Sequence, residues 1–160
     1  PEVEGLRIDL MSQLRGVAPF QDLWNRRTTF EFEEELLEVL SLEDLVLAKK
    51  TQRDKDWPMI RRLVDVNYLA HRERPTRARL DFWCRELRSP ELLIELGASH
   101  PERVEENYGM RPLLRLATSK DLENGALARA IRDEEQNERD RDAEYWRPLK
   151  KKLEALRHSR

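Results

Sequence analysis

The 160-residue chain is poor in the residues that staple, ligate and cradle: it has one cysteine, three histidines and five glycines. Cys84 alone forms no internal disulfide, and with three scattered histidines it cannot complete a zinc site. None of the glycines sits in a phosphate-cradling loop or a dinucleotide fingerprint. No apolar run approaches the roughly 18 residues that cross a bilayer. No charged-then-apolar leader opens the chain. These absences exclude a disulfide framework, a zinc site, the common nucleotide loops and a membrane-spanning protein, and a reducing cytoplasm is the expected location.

Charge is what the chain has in abundance. Charged residues make up 39% and hydrophobic residues 39%, enough for one modest core beneath a heavily charged surface. Arginine supplies 23 of the 30 basic residues. Residues 1–48 carry a net −7, residues 49–88 a net +6 and residues 89–160 a net −1. The basic middle either faces a phosphate-bearing partner or neutralises the acidic opening within the fold.

Hydrophobic periodicity organises the chain into an α+β, helix-dominated fold: two or three short N-terminal strands followed by five or six helices, the last one long. Leu6–Met11 and Thr28–Phe32 alternate as strands do, Leu36–Leu40 is a third candidate, and Phe20–Arg27 is a short helix between the first two. Ser41 followed by Asp44 is a variant capping box that starts a helix at Leu42 and carries it to about Lys50. Beyond Trp57 the pattern is helical throughout. Pro58 suits a first turn, Pro75 or Thr76 opens a further helix, and Ser89-Pro90 begins another that ends near Gly97. Pro101–Pro112 reads as loosely structured. Thr118–Asp121 launches the longest helix, expected to reach about Tyr145. Eleven consecutive polar residues, Arg132–Asp142, separate two apolar stripes in this segment. That run is expected to leave the core as a solvated strut, with Pro148 kinking or restarting the helix beyond it.

Four groups of residues could carry chemistry. Asp9, between Ile8 and Leu10 on the opening strand, could bind a magnesium ion. Lys49-Lys50-Thr51-Gln52-Arg53-Asp54-Lys55-Asp56 packs four cations and two carboxylates into eight residues. Lys49, Arg53 and Lys55 could gather nucleotide or nucleic-acid phosphate, or the segment could simply close one helix and cap the next. Arg72, Arg74, Arg77 and Arg79, near His71, Phe82 and Trp83, suit RNA contact unless the two rings point inward. Glu134, Glu135, Glu138 and Asp142 form a carboxylate ladder best read as a solvated, salt-paired face.

The order Gly5–Met11, Leu14-Arg15-Gly16-Val17, Val39–Val46 and Lys49–Asp56, closed by Glu134-Glu135, Arg139-Asp140, Tyr145–Leu149 and Leu153–Arg157, resembles the latter half of bacterial nucleotidyltransferase-like proteins. These include abortive-infection, toxin-type and uncharacterised members. The resemblance implies that residues 1–56 are the remnant of a nucleotidyltransferase-like α/β core, with a helical region, 57–160, packed on it as one structural unit. It makes Asp9 the third metal-binding carboxylate, with Mg2+ as cofactor, and Lys49, Arg53, Lys55 and Asp56 a phosphate-binding wall. The family's Gly-Ser helix start and Asp-x-Asp strand lie upstream of that carboxylate, and the eight residues before Asp9 supply neither. The implied protein is therefore catalytically incomplete as it stands, either a fragment or a relative that has discarded catalysis. The alternative is a non-enzymatic protein- or RNA-interaction module that uses segment 49–88 and the long C-terminal helix. A homodimer through an exposed sheet edge, another protein partner, a nucleotide and RNA are the candidate partners.

Overall fold

A computed structural model describes residues 14–119 and 125–158. Its order is α1 (Phe20–Asn25), β1 (Thr28–Phe32), β2 (Glu35–Val39), α2 (Leu42–Lys49), α3 (Asp56–His71), α4 (Arg77–Glu86), α5 (Pro90–Ser99), α6 (Pro101–Glu106), α7 (Leu114–Ala117) and α8 (Ala126–His158). The α+β, helix-dominated class holds, with a two-stranded antiparallel sheet near the N-terminus and a long last helix. The helix count exceeds five or six because α6 and α7 are short turns with little periodicity to read. The expected strand Leu6–Met11 lies outside the described residues. The chain divides into two compact units, Pro1–Ala48 and Lys49–Arg160.

In the first unit, β1 and β2 pair from Thr28↔Val39 to Phe32↔Glu35, closed by the two-residue turn Glu33-Glu34. Both turn residues have positive φ, +49° and +68°. Such a turn suits the twist of a hairpin but ordinarily takes Asn-Gly, since a side chain in this region costs about 1–2 kcal/mol per residue. Phe30 and Phe32 share one face with Leu37 and Val39, and all four are exposed. Leu14, Val17, Pro19, Leu23, Trp24 and Val39 line an open, largely apolar cleft of about 600 Å³. The expected capping box is present: the Asp44 amide donates to Ser41 Oγ at 3.2 Å, and that hydroxyl donates to Asp44 Oδ2 at 2.7 Å. Arg26 also grips both Asp44 carboxylate oxygens, at 2.6 and 2.7 Å. The guanidinium, helped by the Ser41 hydroxyl, holds the Asp44 carboxyl below the usual range despite its burial.

Among the described residues of the second unit, the regular elements are all helices. Its core takes Trp57, Ile60, Val64 and Tyr68 from α3, Phe82, Trp83 and Cys84 from α4, Leu93 and Leu96 from α5, and Leu127 and Ile131 from α8. The Trp83 indole donates to Asn67 Oδ1 at 2.9 Å, and its ring meets Tyr68 edge-on. Burial lifts the Tyr68 hydroxyl to about 12 and the Cys84 thiol to about 11. Thr76 accepts from the Arg79 amide and so starts α4 as expected. Ser89 precedes Pro90 as expected, but its hydroxyl donates to Asp65 at 2.6 Å instead of capping α5.

The α5 helix ends at Ser99, near Gly97 as expected, and Gly97 lies inside its last turn. A Cβ there would lie 2.9 Å from Thr118 Cγ2 and 3.2 Å from the Ala117 carbonyl oxygen. The end of α7 packs directly against this glycine. Several local readings are corrected. Pro101–Pro112 is not loose: it contains α6, and Arg111 within it is buried. Thr118 follows the C-terminus of α7, where its hydroxyl donates to the Arg115 carbonyl at 3.3 Å. The long helix is described from Ala126 and passes Pro148 without restarting. The residues around Pro148 are exposed, so water can satisfy the carbonyl its missing N–H leaves free.

Candidate functional site

The main revision concerns the polar run of α8. Its exposed members are Arg132, Asp133, Gln136, Asn137, Asp140 and Arg141, on one side of the helix. Glu134, Glu135, Glu138, Arg139 and Asp142 lie on the other side and are buried or half-buried. Leu127, Ile131, Glu135, Glu138 and Asp142 form one stripe at helical spacing, so the carboxylates continue the apolar seam. The segment does not leave the core as a strut; it docks through charge. Burial of these groups costs little net free energy when each is paired and hydrogen-bonded.

Arg88 is the centre of that docking. Its side chain is 1% exposed, donates to Glu134 at 2.7 Å and to both oxygens of Glu138 at 3.1 Å, and lies 3.8 Å from Glu86. Arg111 grips Glu134 through Nε at 2.9 Å and Nη2 at 2.7 Å. Its Nη1 caps the end of α4 by donating to the Leu87 and Cys84 carbonyls at 2.8 and 3.1 Å. Lys50 joins Glu86 at 2.6 Å and Glu138 at 3.5 Å. Three cations thus balance three carboxylates. Burial alone would lower the Arg88 pKa, but Glu138, Glu134 and Glu86 raise it above its ordinary value. Burial alone would raise Glu134, and Arg111 with Arg88 overrides it to hold the carboxyl below its ordinary value. Each carboxylate of the network has a cation within 4 Å, which locks the helix, while Arg88 Nε is buried without a hydrogen-bond partner.

The candidate phosphate wall is folded into the same construction. Asp56 is buried, accepts from the Thr51 hydroxyl at 2.8 Å and pairs with Lys49 at 3.8 Å. It is the first residue of α3 and not its cap. The Gln52 amide donates to Asp142 at 2.9 Å, and the Trp57 indole donates to the Thr51 carbonyl at 2.8 Å. Lys150 reaches Gln52 Oε1 at 2.9 Å. Arg53 and Lys55 are exposed, so the segment brings Lys49 to Asp56 but sets Arg53 and Lys55 in solvent. Asp9 lies outside the described residues. Among the described residues no group of three or more histidine, cysteine or carboxylate side chains is placed to hold a metal ion, and Asp56 is already occupied by a lysine and a threonine.

Phe82 and Trp83 are buried, which removes the stacking surface from the Arg72–Arg79 cluster. Arg72 pairs with Glu95 at 2.8 Å, and Arg77 lies 3.9 Å from Glu106. No helix among the described residues is long and apolar enough to cross a membrane.

The end of α8 contrasts with its anchored middle. Every residue from Arg147 to His158 is exposed, including Leu149, Leu153 and Leu156 at 46%, 50% and 64%. Trp146 is half-buried and donates to Asp142 at 3.2 Å. The twelve residues 147–158 extend about 18 Å at the helical rise. They carry five cations, Arg147, Lys150, Lys151, Lys152 and Arg157, against one acid, Glu154.

Sequence reasoning picked out the carboxylate ladder but missed Arg88 and Arg111, its partners. The signal was available: Glu134, Glu138 and Asp142 fall on the spacing set by Leu127 and Ile131. Comparison of the chain with protein-family models, with curated proteins and with solved structures gives no match.

Proposed function

We propose that this chain is a non-enzymatic protein-interaction module that presents the end of α8 to a partner. The observation that carries this reading is the contrast within one helix. Residues 127–142 are fixed by Leu127, Ile131 and a buried ion network, whereas residues 147–158 are exposed and keep an apolar seam among cations. A helix that had only to pack on its own domain would end where its contacts end, and continuing leucines in solvent mark a surface that binds something. Burial of Phe82 and Trp83 favours a protein over an RNA partner.

The test is a photo-crosslinking residue placed at Leu153, with Asn137, on the exposed side of the anchored part, as the control position. Adducts at 153 that disappear in Leu149→Ser are expected. Equal labelling at 153 and 137 would overturn the reading.

The second reading is a nucleotidyltransferase-like domain that is catalytically incomplete as it stands. The exposed cations Arg53 and Lys55 favour a residual polyphosphate contact. Transfer needs several carboxylates converging on magnesium, and the resemblance supplies Asp9 alone. Incubation with labelled nucleoside triphosphates, Mg2+ or Mn2+, RNA and protein acceptors is expected to give no transferred label. Transfer abolished by Asp9→Ala would establish an enzyme instead. Triphosphate binding unchanged in Lys49→Ala and Lys55→Ala would return those residues to a structural role.

A further inference from the structure

We infer that the end of α8 is a docking seam for an amphipathic helix whose own flanks are acidic, a reading that rests on the interaction-module function above and names the chemistry of its partner. Trp146, Leu149, Leu153 and Leu156 are spaced three, four and three residues apart. This is the a/d spacing by which two helices interlock side chains. Leu149 and Leu153 are about half exposed and Leu156 more so, which places the seam where another helix can reach it.

The flanks decide what kind of helix. On the heptad set by those four residues, the e and g positions are Tyr145, Lys150, Lys152 and Arg157. Three are cations and none is an acid. A second copy is therefore a poor occupant. In a parallel pair Lys152 would face Arg157 of the other copy, and in an antiparallel pair Lys150 would face a cation at an equivalent e position. Glutamates or aspartates at the partner's e and g positions convert each of these clashes into an ion pair.

A lipid surface fits less well. At about 100° per residue the five apolar side chains from Tyr145 to Leu156 span an arc of only about 100°, the narrow stripe of helix pairing. Lys152 falls at the edge of that arc, beside Leu156 and Tyr145. Helices that lie in a bilayer interface bury a large apolar face, and this arc offers three leucines. The seam is also short, well under the roughly 800 Å² per partner of a standard stable interface. Binding is accordingly micromolar, reversible and sensitive to salt, because the pairs flanking the seam lie in solvent.

The probe is a 21-residue amphipathic peptide with Leu at a and d and Glu at e and g, which its own charges keep from pairing with itself. It is titrated against the full chain, with Trp146 fluorescence and an independent binding readout. A Lys-flanked counterpart, a peptide with Ser at a and d, and vesicles of anionic phospholipid are run beside it. The Glu-flanked peptide is expected to bind, with at least a tenfold loss in Leu149→Ser/Leu153→Ser and a several-fold loss when salt is tripled. Charge reversal by Lys150→Glu, Lys152→Glu and Arg157→Glu is expected to switch preference to the Lys-flanked peptide. These residues are all exposed, Lys150 also donating to Gln52, and unchanged far-ultraviolet circular dichroism checks that each variant keeps the fold. Peptide binding indifferent to the leucines, or to charge reversal, overturns the inference. Tighter leucine-dependent binding to vesicles, or leucine-dependent self-association by light scattering, overturns the choice of partner while leaving the displayed helix as the functional surface. Crosslinking at 153 no greater than at 137, with no leucine-dependent binding of any probe, removes both.

Discussion

Replacing Arg88 by methionine takes the central cation out of the network while keeping a side chain of similar length. Glu134 retains Arg111 at 2.7 Å, and Lys50 remains with Glu86 at 2.6 Å and Glu138 at 3.5 Å. Three carboxylates then face two cations. At 4 Å and an effective dielectric of 20, a unit charge pair is worth about 4 kcal/mol before desolvation is subtracted. Breaking a buried ion pair by removing one partner costs about 3–5 kcal/mol. Because Glu134 and Glu138 are 24% and 23% exposed and each keeps a partner, the loss belongs at the lower end, about 3 kcal/mol. Arg88→Met/Glu138→Met restores charge balance and fills the space with apolar atoms, so it should recover to within about 1 kcal/mol of the parent. Urea denaturation followed by far-ultraviolet circular dichroism gives both numbers, and amide hydrogen exchange should show residues 131–142 opening first in the single variant. A loss under about 1 kcal/mol in Arg88→Met, or a double variant no more stable than the single one, would refute charge-based docking of α8.

In the first unit, Glu33→Asn/Glu34→Gly relieves two positive-φ positions and should stabilise the hairpin by at least about 1 kcal/mol, read as slower amide exchange across β1 and β2. Glu134 is held below its ordinary value in the folded chain, so its contribution is fully present above the unfolded carboxylate range, roughly pH 4, and is lost as pH falls through the folded value. The stability advantage of the parent over Glu134→Gln should therefore narrow below about pH 4. Asp65, raised by burial, works in the opposite sense, and Asp65→Asn should leave that narrowing intact. Thermal unfolding from pH 7 to pH 2.5 checks both, and a constant gap across that range would contradict the assignment.

What the sequence made legible follows from how far each signal reaches. The strand Thr28–Phe32 and the Ser41–Asp44 box are local patterns, and the structure contains both. Gly97 marks the end of α5 to within two residues, and nothing in the local pattern signals that it also makes room for a helix that arrives about twenty residues later. The polar run of α8 misled because its partners are distant in the chain. Its neutralising cations, Lys50, Arg88 and Arg111, lie 84, 46 and 23 residues from Glu134, and no local pattern pairs them. Asp56 looked like a site residue and a cap, and is instead held inside the loop by Thr51 and Lys49. Arg53 and Lys55 look the same in sequence as in structure, as exposed cations of a turn.

An apolar seam running from Leu127 to Leu156 would have been simpler to fold, but it would have let α8 slide. Hydrophobic contact is nearly as favourable after a shift of one heptad, since leucine meets leucine in either register. Glu134 and Glu138 meet Arg88 in one register only, because a seven-residue slip leaves four buried charges unpaired. The ion network therefore contributes position more than net free energy. That position is what a display function needs, for the direction of Leu149 and Leu153 is set by where Glu134 and Glu138 are held. The double variant Arg88→Met/Glu138→Met separates the two effects, since it should keep stability and loosen a register that the Arg111–Glu134 pair is then left to hold. With spin labels at Arg62 and Lys151, both exposed, the parent should give one narrow distance distribution. The double variant should give a broadened or second one, about 10 Å away for a seven-residue slip at 1.5 Å per residue. A distribution as narrow as the parent's, at the same distance, would show that Arg88 and Glu138 serve no positioning role, the register being held by Leu127, Ile131 and the remaining Arg111–Glu134 and Gln52–Asp142 contacts.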